Sequence, residues 1–328
     1  MLKYLLSMLN TLPGATAQGL IWGIMAIGVY VTYKVLDFAD LTVDGSLVTG
    51  AIVGALLITS GVSPWLAIMV AFVAGALCGL ITGILHTALG IPAILSGILS
   101  QLALWSLNLI ISGGKAIISI NTREWYVIAT PLKMWASIGW VTLVLVVLIV
   151  ALYWFFGTER GCSIRATGNN LNMSRAQGIN TDVNKVIGLM LSNALVALSG
   201  ALLAQYQGGA VMDMGKGAIV IGLAAVIIGE ALVSKISKNF AVQLVGVVLG
   251  SIVYFIIYQI ISFVGLDTNL LKMLSALVVA IFLAVPYLKK KYFSKRQTQK
   301  AIDALKESEL VPVAQAEENV VAEGEENA

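Results

Sequence analysis

The chain of 328 residues is 59% hydrophobic and 11% charged, with a mean hydropathy of +0.92. A soluble globular domain carries about 25% charged residues, so this composition excludes a soluble fold. The net charge of +3 does not indicate nucleic-acid binding, and two cysteines with a single histidine predict neither a disulfide framework nor a metal site.

Nine apolar runs, separated by polar or Gly/Pro breaks, follow one another along most of the chain. Each is long enough, or nearly so, to cross about 30 Å of hydrocarbon as a helix, in which the backbone polar groups are paired. The pattern predicts an all-α, polytopic integral membrane bundle of about 9–10 transmembrane helices. The runs lie at about 16–33, 45–60, 64–86, 92–112, 137–157, 186–206, 218–234, 240–264 and 269–288.

Glycines at four-residue spacing recur within these runs. This spacing forms a groove on one face of a helix, so that a neighbouring backbone can approach closely in lipid. We therefore expect helices to pack against each other at these glycines. They are Gly19/Gly23, Gly50/Gly54, Gly75/Gly79/Gly83 and Gly246/Gly250.

The segment from Asp37 to Ser46 carries three carboxylates, a glycine and two hydroxyls between the first two apolar runs. Asp44 is typical of a helix N-cap, and the amides of the following turn would then form an anion site. Two interpretations stay open: an ordinary loop with a capped helix, or a discontinuous helix near the membrane midplane whose N-terminus faces a substrate. The second interpretation makes Asp40, Thr42, Asp44 and Ser46 candidates for a translocation path.

A second interruption precedes the fourth apolar run, where Pro92 is suited to the first position of a helix. Polar residues at near four-residue spacing then follow on an otherwise apolar span. These side chains either hydrogen-bond between helices or line a pore. In the pore interpretation, Ser96 and Gln101 join the candidate path.

The loop at residues 158–185 is basic and longer than a connection requires. Residues Asn170 to Gln177 are predicted to form two helical turns, closed by Gly178 as a C-cap. Such an exposed helix either docks into a partner's groove or lies on the membrane surface. The distribution of Lys and Arg along the chain predicts that this loop and the C-terminus lie in the cytoplasm.

The final segment, residues 289–328, holds 15 of the 37 charged residues. Its composition offers too little apolar surface to fold, which predicts a disordered, charged cytoplasmic tail. We therefore expect a transmembrane domain over residues 1–288, which includes the cytoplasmic loop 158–185, followed by this tail.

The sequence contains no phosphate-binding loop and no Ser/His/Asp or paired-carboxylate arrangement, so we predict no catalytic residue and no enzyme activity in this chain. Energy for transport must come from an ion gradient or from a partner. An ion-coupled carrier usually places charged or histidine side chains within its spans, whereas here Glu230, Lys272 and His86 lie near the ends of theirs. A stand-alone ion-coupled transporter remains an alternative.

Several segments carry a family resemblance. Residues 161–180 read GCSIRATGNNLNMSRAQGIN, and the span after them contains LSNALVALSGALLAQYQGG. Earlier and later segments read GLIWGIMAIGVYVTYKVLDFADLTVDGSLVTGA and GKGAIVIGLAAVIIGEAL. Together they resemble the permease subunits of bacterial ABC importers of the ribose and branched-chain amino acid class, over roughly residues 14–288. The motif DLTVDGS further resembles the subgroup encoded beside lipoprotein binding proteins for aromatic amino acids and related solutes.

The resemblance implies a subunit that forms the translocation path for a small polar solute, with an amino acid expected and a sugar or nucleoside as the alternative. It implies a bacterial cell membrane location, surrounding membrane lipid, a second permease copy and an extracellular or periplasmic solute-binding lipoprotein. Two cytoplasmic ATPase subunits would bind ATP and Mg, and this chain would hold no cofactor. The helix at about 168–179 would couple to the ATPase, and the matching motif positions are Arg165, Asn169, Asn170, Arg175 and Gly178.

Overall fold

The computed structural model describes residues 2–121, 125–233 and 239–263, together with the isolated positions 277, 280 and 284. Contacts divide the chain into Met1–Val279 and Ala280–Ala328, and every element named below belongs to the first unit. The helices are α1 (Leu2–Tyr30), α2 (Val43–Thr59), α3 (Pro64–Thr87), α4 (Ala93–Ile111), α5 (Met134–Gly157), α6 (Glu159–Asn169), α7 (Leu171–Ala176), α8 (Thr181–Gln207), α9 (Ala218–Val233) and α10 (Phe240–Phe263). The strands are β1 (Ile117–Ser119) and β2 (Gly209–Val211).

The predicted apolar runs coincide with helices wherever the structure describes them. Eight runs match α1 to α5 and α8 to α10, while the ninth, at 269–288, and the predicted tail lie outside the described residues. Six helices in the described part of the chain are long and apolar enough to cross a membrane. The helices α2 and α9 have 17 and 16 residues, fewer than the about 20 that a full crossing requires. The prediction of an all-α, polytopic membrane bundle is confirmed, with one small β ribbon added.

The chain is interrupted between α1 and α2. The helix α1 contains the segment 2–13 and continues beyond Tyr30 as a π-helical turn, Val31–Val35. Asp37 then takes a left-handed backbone conformation with φ +52°, and the chain stays non-helical until α2 begins at Val43. π-helical turns occur frequently at functional sites. The chain is therefore interrupted between the first two apolar runs, as both interpretations of this segment expect, and a role of this break in facing a substrate stays a prediction.

The central helix of the bundle is α8. Every residue from Ser192 to Tyr206 is buried, against α1, α2 and α3. One end of α8 contacts α7, and the other end leads into β2, which pairs antiparallel with β1. We call these two ends of the bundle the loop end, which holds α6 and α7, and the sheet end, which holds β1 and β2.

All four predicted glycine stripes lie at helix contacts. Gly50 and Gly54 of α2 pack against Ala197 and Ala201 of α8, and the α3 stripe packs against the same helix. A Cβ added at Gly50 would overlap the backbone of Ala197. The remaining stripes join α1 to α10 and α10 to α9. Because lipid provides no hydrophobic drive for helix association, this close backbone contact is what holds α8 within the bundle.

Candidate functional site

Six polar side chains meet in the interior of the bundle, each at most 2% exposed. They come from the segment before α2 and from α2, α3, α4 and α8. We call them the polar cluster: Asp40, Thr42, Ser46, Thr82, Ser100 and Asn193. Burying polar groups in apolar surroundings is costly unless they are hydrogen-bonded, so the bonds within the cluster decide whether it is stable.

Asn193 of α8 connects one half of the polar cluster. Its Nδ2 donates to Asp40 Oδ2 at 2.7 Å and to the Leu189 carbonyl oxygen at 3.0 Å. Its Oδ1 accepts a hydrogen bond from Ser46 Oγ at 2.6 Å. The second carboxylate oxygen, Asp40 Oδ1, accepts from the Thr42 backbone N–H at 2.9 Å. Both oxygens of the buried carboxylate therefore have donors, and the start of α2 is held to α8.

Thr82 of α3 connects the other half. Its Oγ1 lies 2.8 Å from Thr42 Oγ1 and 2.8 Å from Ser100 Oγ. These three hydroxyls join α3 and α4 to the residue that precedes α2. Asn193 is near the middle of the 27 residues of α8, so the polar cluster lies near half the depth of the bundle.

Three predicted path residues, Asp40, Thr42 and Ser46, belong to the polar cluster. Sequence reasoning misses Thr82 and Asn193, because a single polar residue within an apolar run carries no spacing signal. The cost of an amide within a membrane span is the signal that points to Asn193, since such residues are retained there mostly for a specific contact.

Asp44 does not cap its own helix, so that prediction is wrong. The helix α2 begins at Val43 with Thr42 as its N-cap residue, which leaves Asp44 inside the first turn. The Asp44 carboxylate instead accepts from the backbone N–H groups of Gly217 and Ile219, both at 2.9 Å. These amides belong to the start of α9, where a carboxylate pairs with otherwise unsatisfied donors and is favoured by the helix dipole. Asp44 therefore caps a helix distant in sequence.

Ser96 and Gln101 lie on α4 near the polar cluster, and none of the described hydrogen bonds joins them to it. Ser96 is buried, and its Oγ donates to the Ala93 carbonyl oxygen at 2.8 Å within the same helix. Gln101 is partly exposed, and its backbone lies against Gly45 at the start of α2. Ser100, between them in sequence, is the α4 hydroxyl that enters the cluster. The assignment of Ser96 and Gln101 to a path stays a prediction.

The loop at 158–185 contains two helices where the sequence predicts one. The additional helix is α6, which begins after Thr158 because the Thr158 Oγ1 accepts from the Gly161 backbone N–H at 3.3 Å. A hydroxyl in this place satisfies one of the free amides at a helix start. The sequence of α6 is polar and lacks an apolar stripe, so hydrophobic periodicity does not predict this helix.

The predicted helix at the tip of the loop is α7. Asn170 is its N-cap, with Oδ1 accepting from the Met173 backbone N–H at 3.0 Å. Beyond its last turn, Gly178 has φ +75° and donates its N–H to the Arg175 carbonyl oxygen at 3.0 Å. This left-handed glycine closes the helix as predicted.

The two arginines predicted to contact an ATPase have partners within the chain. Arg165 of α6 lies over the Phe240 ring of α10, 5.4 Å from its centroid, in a cation–π contact. Arg175 of α7 donates from Nε to Thr181 Oγ1 at 3.0 Å and from Nη2 to Asp182 Oδ1 at 3.4 Å. Arg165 therefore joins α6 to α10, and Arg175 joins α7 to the first turn of α8.

The side chain that α7 presents outward is Met173, which is 63% exposed. Asn169, the last residue of α6, and Asn170, the N-cap of α7, are also exposed. Helices that dock into a partner's groove use exposed large apolar side chains as anchors, and Met173 is the one such side chain that α7 offers.

The helix α6 packs directly against the interruption after α1. A Cβ added at Gly168 would overlap the Val35 carbonyl oxygen, and Leu36 packs against Gly188 of α8. Leu36 is four residues before Asp40 in sequence, so a short stretch of chain joins this contact to the polar cluster.

A cavity of 740 Å³ opens at the loop end between the end of α1, α6 and the start of α10. Asn169, Arg165 and Asp37 line it, together with Lys34, whose Nζ lies 2.7 Å from Glu230 Oε1. Within the described ranges, no three His, Cys, Asp or Glu residues are grouped so that they could hold a metal ion.

Comparison with known proteins gives consistent matches. The family described as "Branched-chain amino acid transport system / permease component" matches residues 12–285. A tyrosine transport system permease protein of Clostridioides difficile (strain R20291) is 39% identical over 269 residues, covering 81% of this chain and 88% of that protein. The protein RP368 of Rickettsia prowazekii (strain Madrid E) is 31% identical over 281 residues, covering 84% of this chain and 98% of that protein. The autoinducer 2 import system permease protein LsrC of Yersinia pestis (strain Pestoides F) is 31% identical over 224 residues, covering 67% of this chain and 61% of that protein.

The family match covers most of the chain and includes both the polar cluster and the loop end. The six long apolar helices agree with a multi-pass membrane protein. The chain belongs to the branched-chain amino acid transport permease family and is a permease component of an ABC importer of this class.

Proposed function

We propose that this chain forms the translocation path for an amino acid in a bacterial cell membrane. It would act as one of two permease copies, and an external binding protein would deliver the amino acid to them. A relative named as a tyrosine transport permease, 39% identical, supports an amino acid as cargo. A sugar or nucleoside is the second candidate, because a permease named for autoinducer 2 import is 31% identical.

The polar cluster is the observation that carries the proposal. It combines a carboxylate, an amide and four hydroxyls near half the depth of the bundle, beside the interruption between α1 and α2. Substrate sites of many transporters lie at such interruptions near the midplane. In the structure the six groups hydrogen-bond to one another, and a polar solute would take over these hydrogen bonds when it passes.

We assign the recognition of a cargo ammonium group to Asp40. Asp44, another predicted path residue with a carboxylate, is engaged by the amides of α9. Asp40 is bonded by Asn193 and by the Thr42 amide, with no cationic side chain among its described partners. A buried carboxylate without a charged partner gains strongly from a cationic ligand. Ser96 and Gln101 are proposed to line the route beside it.

The loop end is proposed to face the cytoplasm and to contact two ATPase subunits, which bind ATP and Mg. The helix α7 would dock through Met173, and α6 would pass its movement to the 36–42 segment through the contact of Gly168 with Val35. ATP can drive transport only if the ATPase binds the two states of the bundle with different affinities.

Reconstitution tests the transport proposal. The permease is placed in liposomes together with a partner ATPase and an external binding protein, and uptake of labelled tyrosine and labelled ribose is measured. We expect ATP-dependent tyrosine uptake. Uptake by the permease alone under a proton or sodium gradient would overturn the ATP-driven mechanism, whereas ATP-dependent uptake of ribose without tyrosine would overturn the amino acid cargo.

The role of Asp40 is tested in the same liposomes by Asp40→Asn. We expect uptake at sub-saturating tyrosine to fall at least about tenfold, since a charged contact contributes about 1.5–3 kcal/mol. The control is Asp213→Asn, which removes an exposed carboxylate paired with Lys216. Equal uptake by the two variants would exclude Asp40 from cargo recognition.

Docking of α7 is tested by Met173→Asp and co-purification of the ATPase subunit. Leu132→Asp is the matched control, because Leu132 is exposed to the same degree, 66%, and lies in the segment between β1 and α5. We expect Met173→Asp to abolish co-purification and the control to retain it. Retention in both variants would contradict the docking role of α7.

A further inference from the structure

A second cavity, of 540 Å³, opens at the loop end between α5, α6 and α10. Val150, Tyr153 and Trp154 of α5 form one wall, and Arg165 and Phe240 form another. The α5 wall faces outward from the bundle, with Trp154 72% exposed and Val150 62% exposed. The cavity is therefore open towards the surroundings of the transmembrane helices.

The cavity lies at the level where two membrane spans meet the polar boundary. The span that includes α5 ends at Gly157, and the span of α10 starts at Phe240. Both residues line the cavity. Tryptophan and tyrosine are enriched at the depth of lipid headgroups, where Trp154 and Tyr153 lie by this measure. The cavity is therefore at headgroup depth and not in the hydrocarbon.

The charge of the cavity is positive. Arg165 is held over the Phe240 ring, and none of the described lining residues is acidic. Basic pockets between membrane helices bind anionic headgroups.

Below the cavity, α5 offers an apolar surface to the surroundings. Leu143, Val146 and Val147 are each more than half exposed and precede Val150 on the same helix. The span that contains α5 is the least buried of the six, at 17%. Acyl chains attached to a headgroup in the cavity would extend along this surface.

We propose that this cavity binds an anionic phospholipid, with the phosphate at Arg165, the glycerol region beside Trp154 and Tyr153, and the acyl chains along α5. In this proposal Arg165 recognises the lipid. The family resemblance instead implies a contact of Arg165 with the ATPase. It is separate from the polar cluster and from α7.

The test uses the full-length permease in nanodiscs and follows tryptophan emission. Brominated phosphatidylglycerol and brominated phosphatidylcholine quench the emission of tryptophans that they touch. The quenching of Trp154 is the difference between the quenching of the unaltered protein and that of the Trp154→Phe variant. We expect Trp154 to be quenched preferentially by phosphatidylglycerol. Arg165→Gln should reduce that preference about fivefold, since one basic residue near an anionic surface contributes about 1 kcal/mol.

Arg160→Gln is the matched control, because Arg160 is exposed on the same helix and lines neither cavity. Equal loss of preference in the two variants would overturn the site. Arg165→Lys retains the charge and should retain most of the preference. Loss of preference in this variant as well would attribute the effect to packing on Phe240 and overturn the charge-based proposal.

Two further outcomes are decisive. If neither brominated lipid quenches Trp154, this face is covered by protein, such as a second copy of the chain, and the lipid proposal fails. Soluble glycerol phosphate is added as a competitor, and we expect no change in quenching. Displacement of the lipid by this competitor would assign the site to a free phosphate compound and overturn the lipid as its source.

Discussion

Replacing Asn193 by leucine tests the polar cluster most directly. The substitution preserves the approximate size of the side chain and removes the donor to Asp40 Oδ2 and the acceptor for Ser46 Oγ. A hydrogen bond to a charged group contributes about 1.5–3 kcal/mol, and a neutral bond between membrane helices contributes about 0.6 kcal/mol. We therefore expect Asn193→Leu to lower the free energy of unfolding by about 2–4 kcal/mol.

The neighbouring Ser192 provides the control. Its Oγ is fully buried and donates to the Gly28 carbonyl oxygen at 2.7 Å, so Ser192→Ala removes one neutral bond from the same turn of α8. The expected loss is about 0.6 kcal/mol. Both variants are unfolded with dodecyl sulfate in mixed micelles, and the midpoints are compared at a constant transition slope.

The reasoning fails if Asn193→Leu and Ser192→Ala destabilise the protein equally. A double-mutant cycle with Asp40→Asn isolates the contribution of the pair, since residues in one hydrogen-bond network couple by about 0.5–3 kcal/mol. Additive effects of the Asp40 and Asn193 substitutions would show that their contact adds no stability.

Three further substitutions address packing, capping and surface charge. Gly50→Ala should lower the free energy of unfolding by about 1–3 kcal/mol, because the added Cβ overlaps α8. Gly139→Ala is the control, since Gly139 has open space around it and no loss is expected. Equal effects of the two substitutions would refute the packing argument. Asn180→Ala removes a side chain that accepts from two amides at the start of α8, and a loss near 1 kcal/mol is expected in the same assay; an unchanged midpoint would contradict its capping role. Lys34→Ala removes an exposed ion pair with Glu230, so the stability should fall by less than about 1 kcal/mol, and a larger loss would show that this pair holds α1 to α9.

The bundle could be predicted because hydropathy is a local property. Each apolar run of about 20 residues must become a helix in lipid, whatever its neighbours are. The helix α7 could be predicted for the same kind of reason, since Asn170 and Gly178 act on the turns next to them. The break before Val43 was similarly indicated by carboxylates and hydroxyls that lie side by side in the sequence.

The contacts of the site could not be predicted, because they join residues that are far apart in sequence. Asp44 and Gly217 are separated by 173 positions, and Asp40 and Asn193 by 153. No periodicity links such pairs, so the sequence favours the nearest helix start as the partner of Asp44. A prediction of these partners requires the arrangement of the helices, which the glycine stripes restrict without fixing.

The capping of α9 by Asp44 restricts how the bundle can rearrange. Its carboxylate lies in the first turn of α2, while the amides that it accepts from start α9. Pulling these two short helices apart would break both hydrogen bonds to the Asp44 carboxylate, and a hydrogen bond to a charged group contributes about 1.5–3 kcal/mol. Movement of α2 and α9 together as one rigid block keeps both bonds, so we expect bending to occur in the non-helical stretches that precede these helices, residues 36–42 and 212–217.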